Sequence, residues 1–209
     1  MRPTRQATII DAARQEFVER GFAAVSIRDI AQRAGMSMSA LYHYYPGKQD
    51  LLLAILDEGA DAYFAACEQA LAEADQDDPG ERLEALVAAT VRFRVEHPVK
   101  SSITLTEERS LSAENLAHYR ERTARGTRQF QQAIESGVAA GLFHTPYPDD
   151  ARRGIIAMCN AIAQWYRSDG ELTPEELVEH YVSLALTLVE YRPRSARRTA
   201  GRESRGKSN

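Results

Sequence analysis

Helical periodicity is the feature that most constrains the fold of this chain of 209 residues. Apolar side chains recur at spacings of three and four along most of the sequence, whereas the apolar–polar alternation typical of β-strands is nearly absent. Glycine and proline divide the pattern into about nine segments, so we predict an all-α protein of about nine helices. The predicted segments are 4–20, 26–34, 37–45, 48–74, 81–97, a short helix within 99–112, 112–141, 150–167 and 174–191.

Charge is distributed unevenly along the chain. Residues 1–48 hold seven Lys and Arg against four Asp and Glu, and residues 51–191 hold twelve against twenty-four. Residues 192–209 hold seven against one and few apolar groups, so we predict a disordered basic tail that adds non-specific attraction to phosphates. A basic N-terminal segment on an acidic body indicates that one end of the protein meets a polyanion, with chance scatter of charge as the alternative.

Several functional classes lack their sequence features. No apolar run of about 18 residues predicts a membrane span, and the N-terminus has no signal-peptide pattern, so we expect a cytoplasmic protein. Cys67 and Cys159 are too few and too far apart for a disulfide framework or a zinc site. The histidines are dispersed, and no nucleophile-elbow, metalloprotease or phosphate-loop motif occurs. The sequence therefore predicts no enzyme, no metal site and no cofactor.

Two short helices near the N-terminus carry the clearest functional pattern. Residues 34–37, Ala-Gly-Met-Ser, join them in a glycine-bearing turn that fits a helix-turn-helix. Met38, Leu41 and Tyr45 share one face of the second short helix, and we predict that this face is buried against helix 4–20. The remaining side chains point outward as a candidate DNA-reading surface: Ser37, Ser39, Ala40, Tyr42, His43 and Tyr44.

Two helix N-termini beside this surface provide candidate phosphate contacts. Lys48 begins the long helix after Pro46 and Gly47, and Ser26 begins the helix before the turn. Free backbone N–H groups at such positions favour an anion. Arg28 has the reach for a base edge or a phosphate. The alternatives are that Ser26 acts only as a helix cap and Lys48 only as a solvated charge.

Residues 26–52, SIRDIAQRAGMSMSALYHYYPGKQDLL, closely resemble the helix-turn-helix signature of the TetR family of bacterial transcriptional repressors. That signature has Thr/Ser-x-x-x-Ile-Ala, an Ala-Gly-Val-Ser-like turn, and Leu-Tyr-x-x-Phe followed by a lysine. The chain departs from it at Met36, Tyr45 and Pro46-Gly47, none of which removes a proposed DNA contact. The resemblance implies phosphate contacts by Ser26, Tyr42, His43 and Lys48, base readout by Arg28, Ser39 and Ala40, and further DNA contacts by Ser37 and Tyr44.

The resemblance also implies a helix-turn-helix domain over residues 1–47, a larger helical ligand-binding and dimerisation domain over 48–191, and the tail, 192–209. The last two helices have apolar residues on more than one face, so one stripe suits the interior and another suits a second copy of the chain. On helix 150–167 the stripe is Ile155, Cys159, Ile162 and Tyr166. On helix 174–191 the first stripe is Leu177, Tyr181, Leu184 and Leu188, and the second is Val178, Val182, Ala185 and Val189. The family favours a two-fold dimer, and a helix buried on all sides is the alternative.

Residues 160–186, NAIAQWYRSDGELTPEELVEHYVSLAL, resemble the TetR branch that regulates fatty-acid and steroid breakdown, many members of which respond to acyl-CoA thioesters. Candidate lining residues of an apolar cavity are Tyr63, Phe64, Phe93, Tyr119, Phe130 and Trp165. Candidate phosphate contacts at its mouth are Arg109 and Arg122, with Arg92, Arg94, Arg120, Arg125 and Arg128 as further candidates. The alternatives are aromatic residues that only fill the core and arginines that only form a solvated face.

These features predict a ligand-responsive repressor that binds a palindromic operator as a homodimer and is released by a small lipophilic effector, with an acyl-CoA as the candidate. Helix 48–74 links the two regions, so a ligand that tilts it would move the recognition helices off their separation of about 34–36 Å. The alternatives are a regulator of efflux that responds to drugs or other lipophiles, and an architectural DNA-binding protein without an inducer.

Overall fold

The computed structural model describes residues 4–193, and all regular secondary structure within that range is helical. The α-helices are α1 (Arg5–Arg20), α2 (Ile27–Arg33), α3 (Met38–Tyr44), α4 (Lys48–Glu73), α5 (Pro79–Glu96), α6 (Pro98–Glu107), α7 (Ala113–Ala139), α8 (Pro148–Trp165) and α9 (Pro174–Leu188). A short 3-10 helix, Glu108–Ser110, follows α6. The prediction of an all-α fold is confirmed, whereas residues 194–209 of the predicted tail lie outside the described residues.

Proline marks the start of four helices. Pro79, Pro98, Pro148 and Pro174 stand in the first turn of α5, α6, α8 and α9. A missing N–H costs nothing there, and the fixed φ of proline already suits the helix. The starts predicted at residues 81 and 150 differ from the observed ones by two residues, because the apolar pattern begins only after the proline.

Two hydrophobic clusters form the interior. The first joins α1, α2 and α3 to α4, with Ile103 of α6 and Tyr119 of α7, and contains the fully buried Leu41 and Leu52. The second joins α5, α7, α8 and α9 and contains the fully buried Phe130. Helix α4 belongs to both, because its Cys67 packs in the second cluster. The predicted domain boundary between residues 47 and 48 therefore stays a prediction. Helix α5 is the central helix of the larger region and contacts α4, α7, α8 and α9.

Gly137 in α7 allows Phe143 to pack against the helix backbone. A Cβ at position 137 would lie 2.1 Å from Phe143 Cδ2, whereas a Cβ at Gly154 in α8 would meet only Leu188 Cδ1 at 3.8 Å. Because Phe143 is buried, we expect Gly137→Ala to lower the free energy of unfolding by about 1–3 kcal/mol. The control, Gly154→Ala, should leave it unchanged or raise it by up to about 1 kcal/mol. Urea denaturation followed by circular dichroism measures both, and equal values would contradict this packing argument.

Candidate DNA-binding surface and ligand cavity

Helix α3 has one buried and one exposed face. Leu41 and Tyr45 are buried and Met38 is half-buried beside them, which confirms the prediction that their shared face packs in the core. The Tyr45 hydroxyl oxygen accepts a hydrogen bond from Gln6 Nε2 at 3.1 Å and so ties this end of α3 to α1. The other face carries the exposed Ser39, Tyr42, His43 and Tyr44, with the exposed Ser37 as N-cap and Ala40 half-buried.

Ser26 caps α2 through a reciprocal pair of hydrogen bonds with Asp29. Its Oγ accepts from the Asp29 backbone N–H at 3.2 Å, and Asp29 Oδ2 accepts from the Ser26 backbone N–H at 2.8 Å. The Ser26 hydroxyl and then its backbone N–H, both donated to the carboxylate, hold the pKa of Asp29 below its usual range. Ser26 is thus a helix cap and an exposed residue at once, and Arg28 beside it is also exposed.

Lys48 fixes the turn between α1 and α2. Its Nζ donates hydrogen bonds to the carbonyl oxygens of Phe22 and Val25, both at 2.7 Å, and lies 4.2 Å from the centre of the Phe22 ring. An ammonium group has three N–H donors, so one of them remains for a phosphate. The phosphate contact predicted for Lys48 therefore stays a prediction. Lys48 is also more than a solvated charge, because its hydrogen bonds stabilise the turn.

We expect Lys48→Met to lower the free energy of unfolding by about 2 kcal/mol, because two carbonyl groups would lose a charged hydrogen-bond donor. Lys100→Met is the matched control. Lys100 pairs with the half-exposed Glu58 at 3.2 Å, and its loss should cost no more than about 1 kcal/mol. Thermal and urea denaturation of both variants measure the difference. A Lys48 variant as stable as the Lys100 variant would show that the turn does not depend on this lysine.

An ion-pair network holds α2 against α1. Arg33 Nε lies 2.6 Å from Oε1 of the buried Glu16, and the same guanidinium group also bonds Glu19 and holds the pKa of that carboxyl below its usual range. Arg20 reaches the other oxygen of Glu16 at 3.0 Å. Arg20 and Arg33 are therefore used within the helix-turn-helix. Their positive charge is largely neutralised by carboxylates that lie beside them.

Arg5 is a basic residue next to α3 that is not among the predicted DNA contacts. It is exposed and borders the same surface groove as Ala40 and Tyr44. As the first residue of α1, it lies at the edge of the DNA-reading surface, beside Ala40 and Tyr44. A basic side chain at the start of the first helix was the signal that would have identified it.

A cavity of about 220 Å³ lies between α4, α5, α6, α7 and α8. Four of the predicted lining residues form part of its wall: Tyr63, Phe64, Tyr119 and Phe130. Gly126 of α7 leaves room for the Phe64 ring, since a Cβ there would lie 2.7 Å from Phe64 Cε1. Burial raises the pKa of Tyr119 to about 12, so its hydroxyl is a neutral hydrogen-bonding group at neutral pH.

The other four predicted ligand-binding residues lie outside this wall. Phe93 packs behind Tyr63 with ring centres 5.5 Å apart, and Trp165 is half-exposed at the end of α8. Arg109 is exposed in the 3-10 helix, and Arg122 pairs with Asp57 and Asp61 on the outer side of α7 and α4. The geometry does not support ligand contacts by these four residues, since none of them lines the cavity. The sequence could not show this, because helical periodicity does not distinguish a residue beside a cavity from one behind it.

Arg94 is the arginine that the structure places inside the cavity wall. It is 8% exposed, and its Nη2 donates to Asn160 Oδ1 at 2.9 Å. Burial lowers the pKa of this guanidinium group. Its place on the buried face of α5 was visible in the sequence, because Leu83, Val87 and Thr90 precede it at helical spacing and are all buried. Arg94 thus lies within the cavity wall and not at its mouth, where it was predicted.

Helices α8 and α9 divide their apolar residues between the core and the surface. Ile155, Cys159 and Ile162 of α8 are buried, as are Leu177 and Ala185 of α9. Leu184 and Leu188 of α9 are exposed instead, as is Trp165 of α8. Within residues 4–193, no helix combines the length and the apolarity that a membrane crossing requires.

Comparison with known proteins identifies the two regions. The family model described as bacterial regulatory proteins, tetR family, matches residues 9–55, and the model described as tetracyclin repressor-like, C-terminal domain, matches residues 76–189. The HTH-type transcriptional repressor KstR2 of Mycobacterium tuberculosis is 24% identical over 185 residues, which cover 88% of this chain and 92% of that protein.

Solved structures agree with this assignment. A tetR-family regulatory protein from Rhodococcus RHA1 superposes with a TM-score of 0.83 at 30% identity and covers 92% of this chain and 100% of its own. The structure of AibR in complex with isovaleryl coenzyme A and operator DNA has a TM-score of 0.79 at 23% identity, over 90% of this chain and 100% of that one, and shows the shared fold.

The C-terminal model alone matches more than half of the chain, and the N-terminal model matches the helices that form the DNA-reading surface. The relatives are transcriptional regulators and not enzymes, which confirms the prediction that catalysis is not the function. The chain therefore belongs to the TetR family of bacterial regulatory proteins.

Proposed function

We propose that the protein is a ligand-responsive transcriptional repressor that binds a palindromic operator as a homodimer and is released when an acyl-CoA effector occupies the cavity. The observation that carries this proposal is the course of α4. Its first residue, Lys48, fixes the helix-turn-helix, and Tyr63 and Phe64, about four turns further on, line the cavity. One helix thus connects the DNA-reading surface with the cavity proposed for the effector.

The exposed face of α3 is the proposed reader of the operator. Ser39 and Ala40 are small enough for α3 to enter the major groove closely, and Tyr42 and His43 extend toward the phosphates. Arg28 on α2 and Arg5 on α1 flank this surface. Ser26, Ser37, Tyr44 and Lys48 complete the proposed set of DNA contacts.

The proposed dimer forms through α8 and α9. Leu184 and Leu188 are large apolar side chains that face solvent on the same side of α9, four residues apart, and Trp165 is exposed near the end of α8. A two-fold axis through this surface would bury the same residues of both copies. It would also place two α3 helices in successive major grooves, which suits a palindrome.

The relatives support the proposed effector class. KstR2 of Mycobacterium tuberculosis, 25% identical in its solved structure, is described as a ketosteroid transcriptional regulator, and AibR is described as bound to isovaleryl coenzyme A. A cavity of about 220 Å³ suits a compact acyl group, with the nucleotide of the coenzyme outside. Arg120 lies 3.8 Å from Glu108 of the wall and is exposed, so it is the arginine best placed for a phosphate at the mouth.

The side chain of Gln49 provides a route from the cavity to the DNA-reading surface. Its Nε2 donates to Ser110 O and its Oε1 accepts from Ser112 N–H, both at 2.8 Å, so the first turn of α4 is held to the segment that follows Glu108. A ligand that displaces Glu108 would move this segment and, through Gln49, the N-terminus of α4. Shifting the protein from 99% to 1% DNA-competent requires a preference of about 5.5 kcal/mol between the two states.

A binding titration with DNA from upstream of the protein's own gene tests the proposal. We expect fluorescence anisotropy to show binding at least about 1,000-fold tighter than to random DNA, and release by at least one acyl-CoA but not by coenzyme A itself. Equal affinity for both DNAs would refute the repressor. Specific binding that no thioester reverses would refute the effector class and favour a regulator that responds to drugs or other lipophiles.

A further inference from the structure

The charge on Arg94 has no acidic partner within residues 4–193. Arg94 and Glu16 are the two charged side chains that are more than nine-tenths buried in that part of the chain. Glu16 bonds Arg33 and Arg20, whereas the hydrogen-bond acceptors of Arg94 are the uncharged Asn160 and Ser101. Burying a charge without a counter-ion is strongly unfavourable, so a purely structural link between α5, α6 and α8 would be made more favourably by a neutral side chain.

The hydrogen bonds of Arg94 leave part of its guanidinium group free. The bond from Nη2 to Asn160 Oδ1 is 2.9 Å long, but that from Nη1 to Ser101 Oγ is 3.4 Å, and Nε has no acceptor within the described residues. The Tyr63 and Phe93 rings, 5.0 and 5.6 Å from the guanidinium carbon, stabilise the cation without neutralising it. The group therefore offers unused donors and a net positive charge in the wall of a cavity.

We propose that the effector carries a carboxylate and that Arg94 binds this carboxylate through a paired set of hydrogen bonds. This inference rests on the proposed function, because it takes the cavity as the effector site. A guanidinium group and a carboxylate match in geometry and charge, whereas the carbonyl oxygen of a thioester would leave the charge of Arg94 uncompensated. The apolar part of the effector lies against Phe64 and Phe130, and Arg94 selects its charged end.

The other charged residue of the wall does not remove this selectivity. Glu108 belongs to the 3-10 helix, its side chain is 39% exposed, and it lies 3.8 Å from Arg120, so its negative charge is partly compensated and hydrated. The carboxylate has two possible sources. It is either the far end of an acyl chain whose other end is the thioester, or the acid group of a compact organic acid.

Asn160→Asp tests the inference without removing Arg94. The change keeps the shape of the side chain and puts a carboxylate at the position of Asn160 Oδ1, 2.9 Å from Nη2. Arg94 then has an internal counter-ion that competes with the effector. Arg94→Met removes the cation altogether. Asn115→Asp, at the start of α7 and away from the cavity wall, makes the same change in net charge and is the matched control.

Thermal shifts of the full-length protein measure binding with defined probes. Each pair of probes compares a compound that has the carboxylate with a similar one that lacks it. The pairs are pentanoate with pentanamide, benzoate with benzamide, and glutaryl-CoA with pentanoyl-CoA. We expect at least one carboxylate-bearing probe, at a concentration of roughly 100 times its Kd, to raise Tm by about 5 °C. The compound of the same pair that lacks this carboxylate should cause no shift. The shift should vanish in Asn160→Asp and Arg94→Met and persist in Asn115→Asp. A response to glutaryl-CoA alone identifies the thioester as the source, and a response to the simple acids identifies free acids.

Two results would overturn the inference. Equal shifts from pentanoyl-CoA and glutaryl-CoA, unchanged in Asn160→Asp, would leave the acyl-CoA proposal standing and show that Arg94 does not select an anion. No shift from any carboxylate would show that the cavity does not take one. A failure of the proposed repressor function can be distinguished from these results. In that case the anisotropy titration would show no preference for operator DNA over random DNA, while the thermal shifts would remain.

Discussion

Replacing Leu184 with glutamate is expected to lower the affinity for the operator by about 100-fold or more, because a dimer holds both halves of a palindrome at once. Leu184 of α9 is 51% exposed in the isolated chain. At a two-fold interface the substitution would place two like charges in an apolar surface, where neither finds a partner. Light scattering should show a monomer, and anisotropy should show the weaker binding.

Val99→Glu is the control for this substitution. Val99 lies in the first turn of α6, is not part of the proposed dimer surface and is 45% exposed, so it receives the same new charge in a similarly exposed setting. This variant should remain a dimer with unchanged operator affinity. If Leu184→Glu also stayed dimeric, or bound the operator as tightly as the Val99 variant, the proposed dimer surface would be wrong.

Replacing Leu41 with alanine is expected to lower the free energy of unfolding by about 2–5 kcal/mol, because Leu41 is the fully buried anchor of α3. The cavity left behind lies in the cluster that α3 shares with α1, α2 and α4, so the DNA-reading surface loses its fixed orientation. We therefore expect operator binding to become too weak to measure by anisotropy in this variant. Circular dichroism should show retained helix at low temperature, since α5, α7, α8 and α9 pack in a separate cluster.

Tyr42→Ala separates the surface role from the core role. Tyr42 is on the same helix, one residue further along, and is 47% exposed. We expect its loss to change the stability by no more than about 0.5 kcal/mol. A lost phosphate contact should weaken binding to all DNA sequences to a similar extent. A stability loss comparable to that of Leu41→Ala, or unchanged affinity for DNA, would contradict the assignment of Tyr42 to the reading face.

The helices and the helix-turn-helix were predictable because their signals are local. Apolar spacing reports which residues share a helical face, and a cap or a proline acts within one turn of its own position. On that basis the spacing predicts Leu41 and Tyr45 in the core, and the structure confirms both. Ser26 is predictable as a cap for the same reason, since its partner Asp29 is three residues away.

The cavity was only partly predictable. Tyr63, Phe64, Tyr119 and Phe130 line it, whereas Phe93 and Trp165 do not. Each of these aromatic residues is typical of a buried helical face, but an enclosed space exists only where several helices fail to fill the volume between them. The periodicity of one helix does not show where such a gap lies, because the gap depends on residues such as Gly126 on a different helix.

Residue types at short, fixed spacings are sufficient to predict the all-α fold, the exposed face of α3 and the family to which the chain belongs. The partners of the charged residues could not be predicted from those spacings. Lys48 donates to carbonyls of a turn more than twenty residues away, Arg122 pairs with α4, and Arg94 is enclosed without a carboxylate. The reason is physical: the free energy of a charge depends on its burial and its partners, which helices distant in sequence supply only after they have packed.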